Sequence, residues 1–418
     1  MRSEEDLVRT MRAAAEQAGG HDLAYGVARR RRARRTRQRM QVLLAAVAVV
    51  AVAGGTTAVL SGEGRRAEPA VTVSPPLIKA AGELWPQAIV KVPMRNAKGW
   101  KMHPVTSLSA TEVLLAPESG FEKGGRLEAY DSASGKTRVL GDVPSPRKGY
   151  YLQQFAVGRQ YVAWFGETPR NSDKWADFWI IPREGGKARR VGEVAADVES
   201  IGLTDDSLVW SVKEGGVHRM PLTGGAPERL PGTDGLHLAS WPWANARAGQ
   251  SPISNVTRVV NLETGRSSDV AIPDGVEMMQ CNAQWCVGRR HGLAVVQRVN
   301  GSGRRTLPAT LLPMDPWWLV GDRYAIFRVY DPKNSRSPGP IAVLYDLATG
   351  TMAGLSERTP GVRGGIVRRG SPASSPPNVV IWDADQEYDE VCRNEACTVK
   401  ARGGGKEYTV LNLAAVPG

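Results

Sequence analysis

The chain has 418 residues, with 54 Lys and Arg against 42 Asp and Glu and a formal charge of +12. Residues 1–60 hold 11 Arg and 5 acids, so the remaining 358 residues are left with only +6, which argues against a dedicated polyanion-binding surface on the body. With 46 Gly, 28 Pro and few long helical periodicities, the body argues against a helical bundle and for short strands joined by turns.

Residues 1–39 form a basic head. Ser3 stands three residues before Asp6, a loose capping box, and Leu7, Met11, Ala14, Ala15 and Ala18 then recur at helical spacing up to Gly19-Gly20. A second basic helical stretch is expected from Asp22 to Arg39. The head has no Cys and only His21, which excludes a zinc-bearing head.

Arg29, Arg30, Arg31, Arg32, Arg34, Arg35, Arg37 and Arg39 lead directly into an uncharged run from Met40 to Leu60. Val42 to Leu60 spans about 28 Å as a helix, close to the hydrocarbon thickness of a bilayer. Basic flanks stay cytoplasmic, so residues 40–60 are expected to cross the cytoplasmic membrane once. That places the N-terminus inside and the body outside, with the lipid bilayer as first partner. Ala51-Val52-Ala53 fits a signal-peptide cleavage triplet but lies inside the apolar run. An arginine run abutting an apolar span is a topology signal, and no nucleic acid is expected. Residues 61–83 are rich in small residues and Pro and read as an extended linker.

Residues 84–418 repeat one pattern: a strand, a polar turn with Gly, and another strand. It occurs at Leu127 to Leu140, Phe178 to Val191, Val217 to Leu230, Thr257 to Val270, Ala294 to Leu307 and Ala342 to Leu355, with a weaker seventh copy at Cys397 to Val410. The marker glycines are Gly135, Gly186, Gly225, Gly265, Gly303, Gly350 and Gly405. A period of about 40–50 residues built from short strands predicts an all-β propeller of four-stranded blades, seven by this count, with six or eight open.

FWIIPREGGKARRV (Phe178 to Val191) and VHRMPLTGGAPERL (Val217 to Leu230) resemble the strand–Gly-Gly–strand repeat of TolB-like and WD-repeat-like propellers. The resemblance covers the body by repeat and implies a protein-binding scaffold. The chain departs from TolB in having an expected anchor and no α/β domain before the propeller. A basic head, an anchor and a propeller together resemble a type common in actinobacterial single-pass membrane proteins.

Cys281 and Cys286 share a four-residue gap with Cys392 and Cys397, which fits a disulfide across the mouth of a β-hairpin in an external domain. No G-x-S-x-G elbow, H-E-x-x-H or complete P-loop is present. Gly135-Lys136-Thr137 reads as a blade turn. The body histidines (His103, His218, His237 and His291) are scattered singly. Asp383, Asp385, Asp389 and Glu390 lack the spacing of a calcium loop. No catalytic, cofactor-binding or metal-binding residue is therefore assigned. Trp164, Trp179, Trp210 and Trp382 fall in strand patterns and are expected to pack between blades. Trp241, Trp243, Trp317 and Trp318 lie outside the hairpins and are candidates for stacking on a sugar ring or a partner side chain. These observations lead to the expectation of a non-catalytic propeller that binds a protein, peptide or glycan. The alternatives are a quinoprotein-, lyase- or glycosidase-like propeller enzyme, and a signalling protein whose head docks a cytoplasmic regulator.

Overall fold

Six of the seven repeated segments fold as hairpins, and their marker glycines, from Gly135 to Gly350, all adopt positive φ between +62° and +145°, the region that a tight turn requires and a Cβ disfavours. The computed structural model describes residues 78–117, 125–168, 174–313, 319–330, 339–357, 367–369, 373–383, 387–393, 396–402 and 406–417. The expected head, the anchor at residues 40–60 and most of the linker lie outside them. Among the described residues no helix is long and apolar enough to cross a membrane. Pro76–Gly418 forms one compact unit.

That unit is a seven-bladed β-propeller. Blade 1 is β2 (Met102–Ser107), β3 (Glu112–Pro117), β4 (Gly125–Asp131) and β5 (Lys136–Val143), with β1 (Ile89–Pro93) held back for the last blade. Blade 2 is β6 (Tyr151–Val157), β7 (Tyr161–Glu167), β8 (Trp175–Pro182) and β9 (Arg189–Ala195). Blade 3 is β10 (Val198–Leu203), β11 (Ser207–Val212), β12 (Val217–Pro221) and β13 (Glu228–Arg229). Blade 4 is β14 (Leu236–Ser240), β15 (Trp243–Arg247), β16 (Val256–Asn261) and β17 (Ser267–Asp269). Blade 5 is β18 (Val276–Cys281), β19 (Trp285–Arg290), β20 (Leu293–Arg298) and β21 (Arg305–Thr306). Blade 6 pairs β22 (Leu311–Pro313) and β23 (Leu319–Val320) with β24 (Tyr324–Val329), followed by β25 (Pro340–Asp346) and β26 (Met352–Glu357).

Blade 7 corrects the sequence repeat. It is built from β27 (Val367–Arg369), β29 (Val379–Asp383) and β32 (Glu407–Asn412), and its outermost strand is β1, from the other end of the body. Ile89 stands opposite Leu411 and Pro93 opposite Glu407. The segment from Cys397 to Val410 is therefore not an outer hairpin. Its first half is β31 (Ala396–Arg402), which pairs only with β30 (Glu387–Arg393) in a two-stranded insertion. A glycine-rich turn between two strands looks the same locally whether or not those strands are partners. Closure by β1 leaves the ring without an open first or last edge, the hazard that propellers avoid.

Seven blades make seven joints, and each has its own apolar cluster. Phe155, Trp164 and Ile181 of blade 2 pack on Val105 and Leu114 of blade 1. Phe178 meets Trp210 of blade 3 at a ring separation of 4.8 Å. Val90 and Val92 of β1 pack with Met102 and Val113 across the closing joint. The alternation of the strands puts one apolar face towards each neighbouring blade. Trp164 and Trp210 are buried as expected, and Trp164 stacks on Trp179 across the β7–β8 ladder at an interplanar angle of 8°. The joint between blades 3 and 4 has the smallest buried cluster, Val217, Leu236 and Ala244.

Candidate functional site

Seven inner strands around an axis leave a central channel. Here the chain itself crosses it. After β27 a three-residue strand, β28 (Ala373–Ser375), leaves blade 7 and pairs in parallel with β6 of blade 2, Ala373 opposite Gln154 and Ser375 opposite Ala156. Polar contacts fasten this strap to three further blades. Ser374 Oγ donates to the Val105 carbonyl at 3.5 Å, Ser375 Oγ to the Ala239 carbonyl at 3.4 Å, and Gly321 N–H to the Pro377 carbonyl at 2.8 Å.

Two cavities flank the strap, and Pro376 lines both. One, of about 590 Å³, lies at the C-terminal ends of the inner strands, where Val157, Leu203 and Trp241 line it. The other, of about 410 Å³, lies between the first halves of β6 and β10 and the last residues of β14 and β18. It is lined by Gln153 and Gln154 of blade 2, Glu199 and Ser200 of blade 3, Ser240, Asn245 and Arg247 of blade 4, Gln280 and Cys281 of blade 5, and Asp322 of blade 6.

The electrostatic centre of the second cavity is a bridge between blades 3 and 4. Glu199 Oε2 lies 2.6 Å from His237 Nδ1, and Glu199 Oε1 accepts from Arg247 Nη1 at 2.8 Å. The three side chains are only 16%, 5% and 9% exposed. Burial alone would raise the Glu199 carboxyl, but the His237 hydrogen bond and the Arg247 charge outweigh it and hold the group below its ordinary value. An ionised carboxylate only accepts, so His237 Nδ1 carries the proton. Two polar atoms beside the bridge, Asn245 Oδ1 and Arg247 Nε, are buried without a hydrogen-bond partner among the described residues, a state that proteins keep rare because it costs free energy.

Of the other charges on the wall, Glu167 accepts from Tyr151 Oη at 2.8 Å and from Gln153 Nε2. Lys213 pairs with Asp197 at 3.4 Å. Arg323, in the turn before β24, holds Asp346 through Nε at 2.9 Å and Nη2 at 2.6 Å. Asp322 lines the cavity from the turn before β24, where it is exposed, and no ion pair or hydrogen bond to its side chain is present among the described residues.

The structure disperses the residues singled out from sequence. Trp241 lines the 590 Å³ cavity, its Nε1 donating to Glu263 Oε1 at 3.1 Å. Trp243, opposite Ser240 in the β14–β15 ladder, packs instead on the apolar cluster joining blades 4 and 5. Trp317 and Trp318 lie outside the described residues, as do the eight arginines of the topology signal. Cys281 and Cys286 form the expected disulfide, across the β18–β19 turn. Cys392 and Cys397 stand opposite one another in the β30–β31 hairpin, and their side chains lie outside the described set. Sequence reasoning passed over Glu199 and Arg247 and noted His237 only as one of several scattered histidines. For Glu199 and His237 a signal existed: each is the second residue of its blade's inner strand, so aligning the blades in phase sets them side by side.

No family model matches the chain, and no curated protein matches it. Among solved structures it is similar to a prolyl endopeptidase (11% identity, TM-score 0.41, covering 68% of this chain and 47% of that one). It is similar to Hsv2 of Kluyveromyces lactis (10% identity, TM-score 0.38, covering 75% of this chain and 100% of that one). It is also similar to an oligogalacturonate lyase of Vibrio parahaemolyticus (10% identity, TM-score 0.36, covering 65% and 91%). The chain thus spans less than half of the endopeptidase. At these values the likenesses carry no argument about activity, and the propeller stands on its own sheets.

Proposed function

We propose that this protein is a membrane-anchored, extracytoplasmic propeller that acts as a non-catalytic binding module, taking a protein, peptide or glycan at its strapped channel. The observation that carries the proposal is the 410 Å³ cavity: its walls are mostly amides, hydroxyls and apolar side chains, and its cations are already neutralised by carboxylates of the fold. Such a surface favours recognition by hydrogen bonding over chemistry that needs a freely titrating acid and base. The anchor rests on the arginine cluster and the apolar run at residues 40–60. The Cys281–Cys286 disulfide supports an oxidising compartment for the body.

The test uses the full-length chain in lipid nanodiscs on glycan and peptide arrays. Saturable binding is expected, abolished by Ser240→Trp, which fills the cavity, with the ligand recovered chemically unchanged by mass spectrometry. Binding that survives the filled cavity, or a ligand recovered as product, refutes the proposal. Labelling of intact cells by a membrane-impermeant amine reagent is expected to reach Lys91 and Lys98 of the body; protection of both until the cells are lysed refutes the orientation.

A further inference from the structure

β6 carries a β-bulge between Leu152 and Gln154, and the extra residue lets two consecutive glutamines, Gln153 and Gln154, line the 410 Å³ cavity. Each is fixed at one end of its amide. Gln154 Oε1 accepts from the Ile201 N–H at 2.6 Å, which leaves its NH₂ to donate. Gln153 Nε2 donates to Glu167 Oε1, which leaves its carbonyl to accept. Gln280, on the wall from blade 5, donates through Nε2 to the Ser254 carbonyl at 3.0 Å and likewise keeps a free carbonyl. Asn245, on the wall from blade 4, is 7% exposed; its Oδ1 is buried without a partner, and its NH₂ is left to donate. None of the four free ends is sealed inside the protein. Two uncharged donors and two uncharged acceptors, from three blades, therefore line one cavity.

The charged side chains of the same wall are Glu167, Glu199, Asp322, Lys213 and Arg247. Arg247 pairs with Glu199 at 2.8 Å and Lys213 with Asp197 at 3.4 Å. Glu167 accepts from two neutral donors, Tyr151 Oη and Gln153 Nε2, and Asp322 is exposed. An anion entering here meets three carboxylates and no unpaired cation.

We infer that the cavity takes a neutral, hydroxyl-rich ligand of one or two sugar rings, held by the amides of Gln153, Gln154, Asn245 and Gln280. This inference rests on the binding-module proposal and narrows its ligand to a carbohydrate. A hydroxyl donates and accepts at one atom, so adjacent hydroxyls of a ring satisfy a mixed set of donors and acceptors without adding charge. The strap supplies the apolar side: Pro376 and Pro377 line the cavity half-buried and offer a surface to the C–H face of a ring. The volume lies at the small end of the range for ligand pockets, on the order of 300–1,000 Å³. A peptide fits less well. Extended peptides add a strand to a free sheet edge, and the edge of β6 is already taken by β28, with Ala373 opposite Gln154 and Ser375 opposite Ala156.

Calorimetric titration of the full-length chain in nanodiscs tests this with glucose, N-acetylglucosamine, maltose and cellobiose as neutral probes and glucuronate and glucosamine as charged ones. At least one neutral sugar is expected to bind, and neither charged sugar to bind more tightly than it. Gln154→Glu keeps the acceptor for Ile201 N–H and removes only the free donor. Asn245→Leu keeps the shape and removes a buried oxygen without a partner, so its Tm is expected to equal or exceed that of wild type. Each variant is expected to weaken the sugar by about fivefold or more, corresponding to about 1 kcal/mol. Sugar binding unchanged in either variant, or tighter binding of glucuronate or glucosamine, overturns the inference. Failure of every neutral sugar also overturns it, and leaves the binding module standing where an array peptide binds and is lost in Ser240→Trp. Sugar binding that survives Ser240→Trp refutes both readings.

Discussion

The joint between blades 3 and 4 has the smallest cluster of buried apolar residues in the ring, Val217, Leu236 and Ala244, and the Glu199–His237–Arg247 bridge spans the same joint. Glu199→Gln keeps the volume and removes the charge. The native carboxylate takes part in two charge-assisted hydrogen bonds, each contributing about 1.5–3 kcal/mol. The variant can accept only one of them well, and it leaves the Arg247 guanidinium buried without a counter-charge. Breaking a buried pair on one side costs about 3–5 kcal/mol, and the amide's residual hydrogen bond moves the expected loss to the lower end, about 3 kcal/mol. Equilibrium urea unfolding at pH 7, followed by tryptophan fluorescence, reads it directly. Replacing both partners (Glu199→Gln with Arg247→Met) should recover more than half of the loss, because no unpaired charge remains. The difference between wild type and Glu199→Gln should also depend on pH. A carboxyl lowered on folding adds stability above its unfolded value, about 4.3, and that stability disappears as pH falls through the folded value. The difference between the two proteins should therefore begin to shrink as pH falls below about 4.3. A loss smaller than about 1 kcal/mol at pH 7, where breaking a buried pair should cost several, or a difference as large at pH 3 as at pH 7, would falsify the reasoning.

Asp177 shows the opposite sign. Burial pushes its carboxyl up to about 6, against the hydrogen bond from Trp179 at 2.7 Å. Its ionised form therefore costs stability above pH 6, and the cost is relieved as pH falls towards the unfolded value of about 3.9. At 1.36 kcal/mol per unit the whole relief is about 3 kcal/mol, roughly half of it between pH 7.5 and pH 5, so stability should rise over that window in wild type and not in Asp177→Asn, as read by urea midpoints. Trp210→Ala empties the joint between blades 2 and 3, where the ring is 1% exposed and packs on Phe178. A loss of about 3–5 kcal/mol is expected by denaturant unfolding, and a loss below 1 kcal/mol would mean that the joint collapses around the gap. Reduction of Cys281–Cys286, or its replacement by serines, closes no long loop. It should cost only about 2 kcal/mol on the chain-entropy model and leave the secondary structure unchanged by circular dichroism; global unfolding of the reduced protein would contradict this.

Much of the blade architecture is legible in the sequence because it is local. The turn at Gly135 or Gly265 sits between strands that pair with each other, so a dozen residues suffice to see it. The seventh copy misleads for the same reason. β32 finds its outer partner in β1, with Ile89 opposite Leu411, and nothing around Gly405 records so distant a pairing. The site is less legible than the fold. Glu199 and His237 are 38 residues apart in the chain and meet only because each is the second residue of its inner strand, a coincidence of phase that a search for local motifs does not detect.

The strap and the closing strand solve two different problems of the ring. β1 fastens the ring from outside, and the entry segment before it is itself tied down, with Gly354 N–H donating to the Lys79 carbonyl at 2.8 Å and Trp85 packing edge-on against Tyr324. β28 acts on the axis. By pairing with blade 2 and bonding to blades 1, 4 and 6 it turns an open channel into two cavities, each with a floor. An open channel presents inner strands from every side to water and holds a small ligand poorly, whereas a floored cavity desolvates one face of whatever enters it.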